Sequence, residues 1–131
     1  MSQTDASRAP TFYPCMRYKN APAAIKWLGA AFGFEVHLVV PGPNETIAHA
    51  ELRFGNGLFM MGSVKDDVLG GAGGMAPYVY VADIDAHSAR ARAAGATIVK
   101  EPFNTDHGSR DYAACDLEGN VWSFGTYRPA P

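Results

Sequence analysis

A chain of 131 residues, 47% of them apolar, suits one domain with its own core and excludes a disordered chain. A net charge of −2, an isoelectric point near 6.0 and eleven scattered basic residues give no basic face, which excludes nucleic acid as a partner. No apolar run approaches the roughly 20 residues of a membrane span, so no membrane is expected as a partner either.

Met1 to Pro10 has no apolar h-region and reads as a disordered polar tail, not a secretory signal. Thr11 to Tyr18 alternates bulky residues, as a strand does. Asn20 caps a helix with Pro22 in its first turn and Ile25, Leu28 and Phe32 on one face, and Gly33 ends it. Phe34 to Val40 is a β-branched strand, broken by Pro41-Gly42-Pro43-Asn44. Ile47 to Phe54 and Leu58 to Gly62 form a hairpin around Gly55-Asn56-Gly57. Val64 to Gly74 is a flexible linker. Its glycine run lacks the Lys-Ser/Thr ending of a phosphate-binding loop.

The second half repeats the order. Ala76 to Ala82 is a strand, Asp83 to Ala94 an Ala-rich helix ended by Gly95, and Ala96 to Lys100 a short strand stopped by Pro102. Arg110 to Asp116 and Val121 to Tyr127 form the closing hairpin around Glu118-Gly119-Asn120. The halves superpose at an offset of 63, with Pro14 on Pro77, Ala50 on Ala113 and Gly62 on Gly125; Gly33 matches Gly95 with one residue of slip near the helix ends. The expected fold is α+β, with two βαβββ modules in one domain over residues 11–128 and half-repeats at 12–63 and 75–127.

Strand alternation sorts the faces. Ala48, Ala50, Leu52, Phe54, Phe59 and Met61 form the helix side of the first hairpin; Ala113, Cys115, Trp122 and Phe124 form that of the second, joined by Val79 and Val81. The opposite faces carry Tyr13, Arg17, His49, Glu51, Met60, Tyr78, Tyr80, Tyr112 and Ser123. Tyrosine offers apolar area with a polar handle, so these nine form a candidate small-molecule site. Cys15 and Cys115 make no disulfide framework; they are expected as buried thiols, in a reducing cytoplasm.

The run Arg110-Asp-Tyr-Ala-Ala-Cys-Asp-Leu-Glu-Gly-Asn-Val-Trp-Ser-Phe resembles the closing signature of the glyoxalase/bleomycin-resistance/extradiol-dioxygenase superfamily, the vicinal oxygen chelate fold. Leu117 stands where that signature has proline. Tyr78-Val79-Tyr80-Val81 followed by Asp83 is similar to a strand of the bleomycin-binding proteins. The resemblance implies four metal positions, which fall on Tyr13, Met60, Ala76 and Ser123. None offers the imidazole or carboxylate such an ion takes, so neither metal nor cofactor is expected. It also implies a homodimer with two equivalent clefts and, as function, metal-free sequestration of an aromatic or apolar ligand such as an antibiotic. Bleomycin binders place an aromatic residue where Gly108 stands, which counts against bleomycin itself.

Two other readings remain open. His49 and Glu51 share a strand face and are candidate catalytic residues: Glu51 as acid/base, or both as ligands in a metal-dependent lyase, isomerase or dioxygenase. A structural ion pair of Glu51 with Arg53 or Arg17 is the simpler role. The tyrosine-rich face could also serve only to make the dimer. His37, His87 and His107 are expected to be solvated.

Overall fold

A computed structural model describes residues 13–65, 77–106 and 108–128. In chain order the elements are β1 (Cys15–Tyr18), α1 (Ala21–Phe32), β2 (Glu35–Pro41), β3 (Ile47–Phe54), β4 (Gly57–Ser63), β5 (Tyr78–Tyr80), α2 (Ile84–Ala93), β6 (Thr97–Asn104), β7 (Arg110–Cys115) and β8 (Val121–Gly125). This is the expected α+β fold of two βαβββ modules. The expected polar tail, residues 66–74 of the expected linker and His107 lie outside the described residues.

Local chemistry sets the helix ends. The Asn20 side chain accepts the Ala23 N–H, Pro22 occupies the first turn, and Gly33 closes α1 at φ 84°. Asp83 accepts the Ala86 N–H at the start of α2, and Arg90 and Arg92 complement the dipole at its end. β6 runs on to Asn104 instead of stopping at Pro102. It is an edge strand whose register shifts between Lys100 and Phe103, and there a missing N–H is tolerated.

Each module is a four-stranded sheet, ordered β1-β4-β3-β2 and β5-β8-β7-β6, with a parallel pair at β1/β4 and at β5/β8. Both sheets turn their helix sides toward one shared core. Phe32 of α1 lies 5.8 Å from Trp122 and 4.9 Å from Phe124, and Phe59 lies 5.2 Å from Trp122. The opposite sheet faces point away from this core, and every residue of β2 is exposed. No helix among the described residues is long and apolar enough to cross a membrane.

The internal repeat holds with one correction. Pro14 and Pro77 accept equivalent bonds from Met60 and Ser123, both at 2.9 Å, so the offset there is 63. The slip at Gly33 and Gly95 is not confined to the helix end but persists into the next strands. Ala50 faces Met61 as Tyr112 faces Phe124, an offset of 62. The second hairpin restores the register: four residues separate the partners Arg53 and Leu58, and five separate Cys115 and Val121.

That extra residue reverses the expected faces of β7. Tyr112 and Ala114, 1% and 0% exposed, join Trp122 and Phe124 in the core, while Ala113 pairs with Ser123 on the opposite face. Tyr112 is therefore a core residue, not a wall of the open face. His87 is buried as well, correcting its expected solvation. The Tyr112 hydroxyl donates to its Nδ1 at 2.6 Å, and its Nε2–H donates to the Phe32 carbonyl at 2.8 Å. In β3, Ile47 is buried and Ala48 exposed, because β2 and β3 slip register between Val40 and Pro41. Cys15 is exposed and Cys115 half-buried, so neither thiol is the buried group expected.

Candidate functional site

The open face of the first sheet is built by β1, β4 and β3. Cys15, Met60 and Glu51 lie side by side across these strands. Met16 and Tyr18 turn inward, alternating with the exposed Cys15 and the half-buried Arg17. His49 sits two residues from Glu51 on the same face, and its Nε2 meets the Glu51 carboxylate at 2.9 Å. His37 Nε2 approaches the other carboxylate oxygen at 3.8 Å. Arg53 reaches Glu35 at 3.7 Å, so the expected pairing of Glu51 with Arg53 gives way to a carboxylate flanked by two imidazoles. Tyr13, 37% exposed, stands ahead of β1.

The open face of the second sheet holds Tyr78 beside Ser123, with Tyr80 beside Gly125. Tyr78 is 43% exposed, yet its hydroxyl is fixed, donating to the Tyr127 carbonyl at 2.7 Å. Partial burial raises its pKa above the usual phenol value. A Cβ at Gly125 would collide with the Tyr78 hydroxyl and the Asp111 carboxylate, so glycine is what lets these two groups close over the strand. Of the nine expected site residues, eight are off the core and Tyr112 is not. They fall on two separate sheet faces.

A cavity of about 440 Å³ lies between the modules. Its buried wall includes Phe34, Leu52, Phe59, Val81 and Trp122, and Tyr78 and Tyr80 reach it from the expected set. The Arg128 guanidinium stacks on the Tyr80 ring at 3.9 Å. Strand alternation reports on sheet faces and not on the seam between them, so it gives no sign of Arg128 or of this cavity.

Two βαβββ modules, each with a helix-covered and an open sheet face, define the vicinal oxygen chelate class of folds. Residues 12–124 match the Glyoxalase/Bleomycin resistance protein/Dioxygenase superfamily, and the chain belongs to it. An uncharacterized protein of Mycobacterium bovis is 34% identical over 128 residues, covering 88% of this chain and 82% of that one. TioX from Micromonospora sp. ML1 superposes with a TM-score of 0.74 at 30% identity, covering 93% of this chain and 99% of that one. A glyoxalase/bleomycin resistance protein/dioxygenase family enzyme from Burkholderia phytofirmans PsJN superposes at 0.67 with 18% identity, covering 86% and 94%. The last likeness shows the fold alone.

The superfamily's enzymes hold a divalent metal, and the residues here do not fit one. Tyr13, Met60 and Ser123 supply a phenol, a thioether and an alcohol, and Ala76, outside the described residues, is a residue type with no donor. Cys15 adds a thiol beside Met60. His49 and Glu51 are bonded to each other. Among the described residues no group of three or more His, Cys, Asp or Glu is placed to hold an ion.

Proposed function

We propose that this chain is a metal-free small-molecule-binding protein that sequesters an aromatic or apolar ligand on its open sheet faces. Antibiotic natural products belong to that ligand class, and the protein would act as a cytoplasmic homodimer whose second copy covers what one copy leaves open. The donor set carries the reading. Where the enzymes of the superfamily need imidazole and carboxylate, Met60 and Ser123 stand, amid aromatic area from Tyr13, Tyr78 and Tyr80. Arg17, His49 and Glu51 supply polar groups that would orient a ligand.

Isothermal titration against a panel of aromatic natural products tests this. Saturable binding weakened at least about tenfold by Tyr13→Ala is expected. No saturable binding across the panel, or a stoichiometric metal in protein purified without chelators, would sink it.

Glu51 supports a second reading, an acid/base enzyme of the same superfamily, because a carboxylate between two imidazoles is placed to exchange protons. On that reading Glu51→Gln abolishes turnover while ligand binding persists. Retained turnover would remove Glu51 from the chemistry.

A further inference from the structure

The repeat pairs each position of one module with a position of the other, and at one place the pairs differ in kind. In one half, the Asp116 carboxylate accepts from the Tyr18 hydroxyl at 2.7 Å and from the Trp122 indole at 3.1 Å. The Glu118 carboxylate beside it accepts the backbone N–H groups of Lys19 and Asn20 at 2.8 and 2.7 Å. The second hairpin thus plugs the junction between β1 and α1 with polar contacts.

The register fixes the counterparts. Phe54 stands for Asp116, Val81 for Tyr18, Phe59 for Trp122 and Ala82 for Lys19. All four are apolar, the turn is one residue shorter, and the junction between β5 and α2 opens into the 440 Å³ cavity. That volume lies within the usual range for small-molecule sites. The counterparts of the Tyr18 and Trp122 donors are the apolar Val81 and Phe59, so a polar group between these two would meet no side-chain donor from them. Its rim is different. Arg128 is exposed, is held on the Tyr80 ring, and is the one charged side chain among the described lining residues.

We infer that this inter-module cavity is a second ligand site, separate from the open face of the first sheet and bordered by Tyr78 and Tyr80 of the second, for a small aromatic anion. The apolar body would fill the space between Phe54, Phe59 and Val81, and a carboxylate or sulfonate would meet the Arg128 guanidinium.

Fluorescence titration with 8-anilino-1-naphthalenesulfonate and its uncharged counterpart N-phenyl-1-naphthylamine tests the assignment. One equivalent of the sulfonate per chain is expected, with energy transfer from Trp122 in the wall. Arg128→Gln should weaken the sulfonate about tenfold and the uncharged probe less than about twofold. Ala82→Trp, at an exposed lining position, should block both; unchanged thermal melting shows that the variant is folded. Equal loss of both probes in Arg128→Gln would overturn the anion assignment. Undiminished binding in folded Ala82→Trp would overturn the site. Loss of the signal in Met60→Lys but not in Ala82→Trp would place the probe on the sheet face, overturning this inference while leaving the sheet-face reading intact.

Discussion

The Tyr18 hydroxyl donates to the Asp116 carboxylate across 98 residues of chain and ties the first module to the second. The same carboxylate accepts the Trp122 indole N–H, the Asn120 side-chain amide, and the backbone N–H groups of Glu118 and Asn120. Tyr18 is fully buried, and that burial, reinforced by the neighbouring Asp116 charge, raises its pKa. It therefore remains a donor through neutral pH. Asp116→Ala strands several buried donors at once and should cost about 3–5 kcal/mol in denaturant unfolding. Tyr18→Phe removes one donor and should cost about 1–2 kcal/mol. Equal costs for the two variants would contradict the carboxylate's role as a hub.

The His87–Tyr112 pair makes stability depend on pH. Burial lowers the His87 pKa, so the unfolded chain binds a proton that the folded chain resists. The contribution is complete above the unfolded value of about 6.5 and declines as pH falls below it toward the lower folded value. Thermal melting between pH 7.5 and 5 should show this loss, and His87→Gln should flatten it while lowering stability at pH 7.5. An unchanged slope in His87→Gln would assign the pH dependence elsewhere.

Neither of these buried partnerships could be read from strand alternation, and the reason is local. β3 alternates apolar and polar residues from Ala48 to Phe54, and the hairpin pairing carries that sorting onto the apolar run of β4, so these faces are largely legible. In β5 and β8 the valines and aromatics sorted correctly. β7 reads Tyr112-Ala113-Ala114-Cys115, apolar on both faces, so its orientation depends on the length of the hairpin that follows. That hairpin begins with the inward-turned Asp116, whose partner Tyr18 is remote in sequence. His87 sits in an Ala-rich helix of weak amphipathicity, and its two partners come from α1 and β7. The cavity is a difference between two modules. A constant offset matches Asp116 to Arg53 and hides that difference; the true register matches it to Phe54 and exposes it.

Gly125 and Tyr78 should behave as one unit. Gly125→Ala places a methyl group against the Tyr78 hydroxyl and should break its bond to Tyr127, costing about 1–3 kcal/mol. Tyr78→Phe alone should cost about 1 kcal/mol. The double variant should be less destabilised than the sum of the two, since each disturbs the same contact. Simple additivity in urea unfolding would show that the hydroxyl is not what glycine accommodates.

Cys15 offers a direct probe of the proposed homodimer. Its side chain is exposed on the open face of the first sheet, in register with Met60, and a second copy seated on that face would cover it. In a Cys115→Ser background Cys15 is the single thiol, and its alkylation by iodoacetamide reports on that face alone. If the copies pair through the open faces, the labelling rate should fall as protein concentration rises through the dimer dissociation constant, in step with the sedimentation coefficient. A ligand that fills the same face should slow the reaction further. A dimer by sedimentation with undiminished Cys15 labelling would mean that the copies meet elsewhere, leaving the open faces free for a ligand but uncovered by a partner.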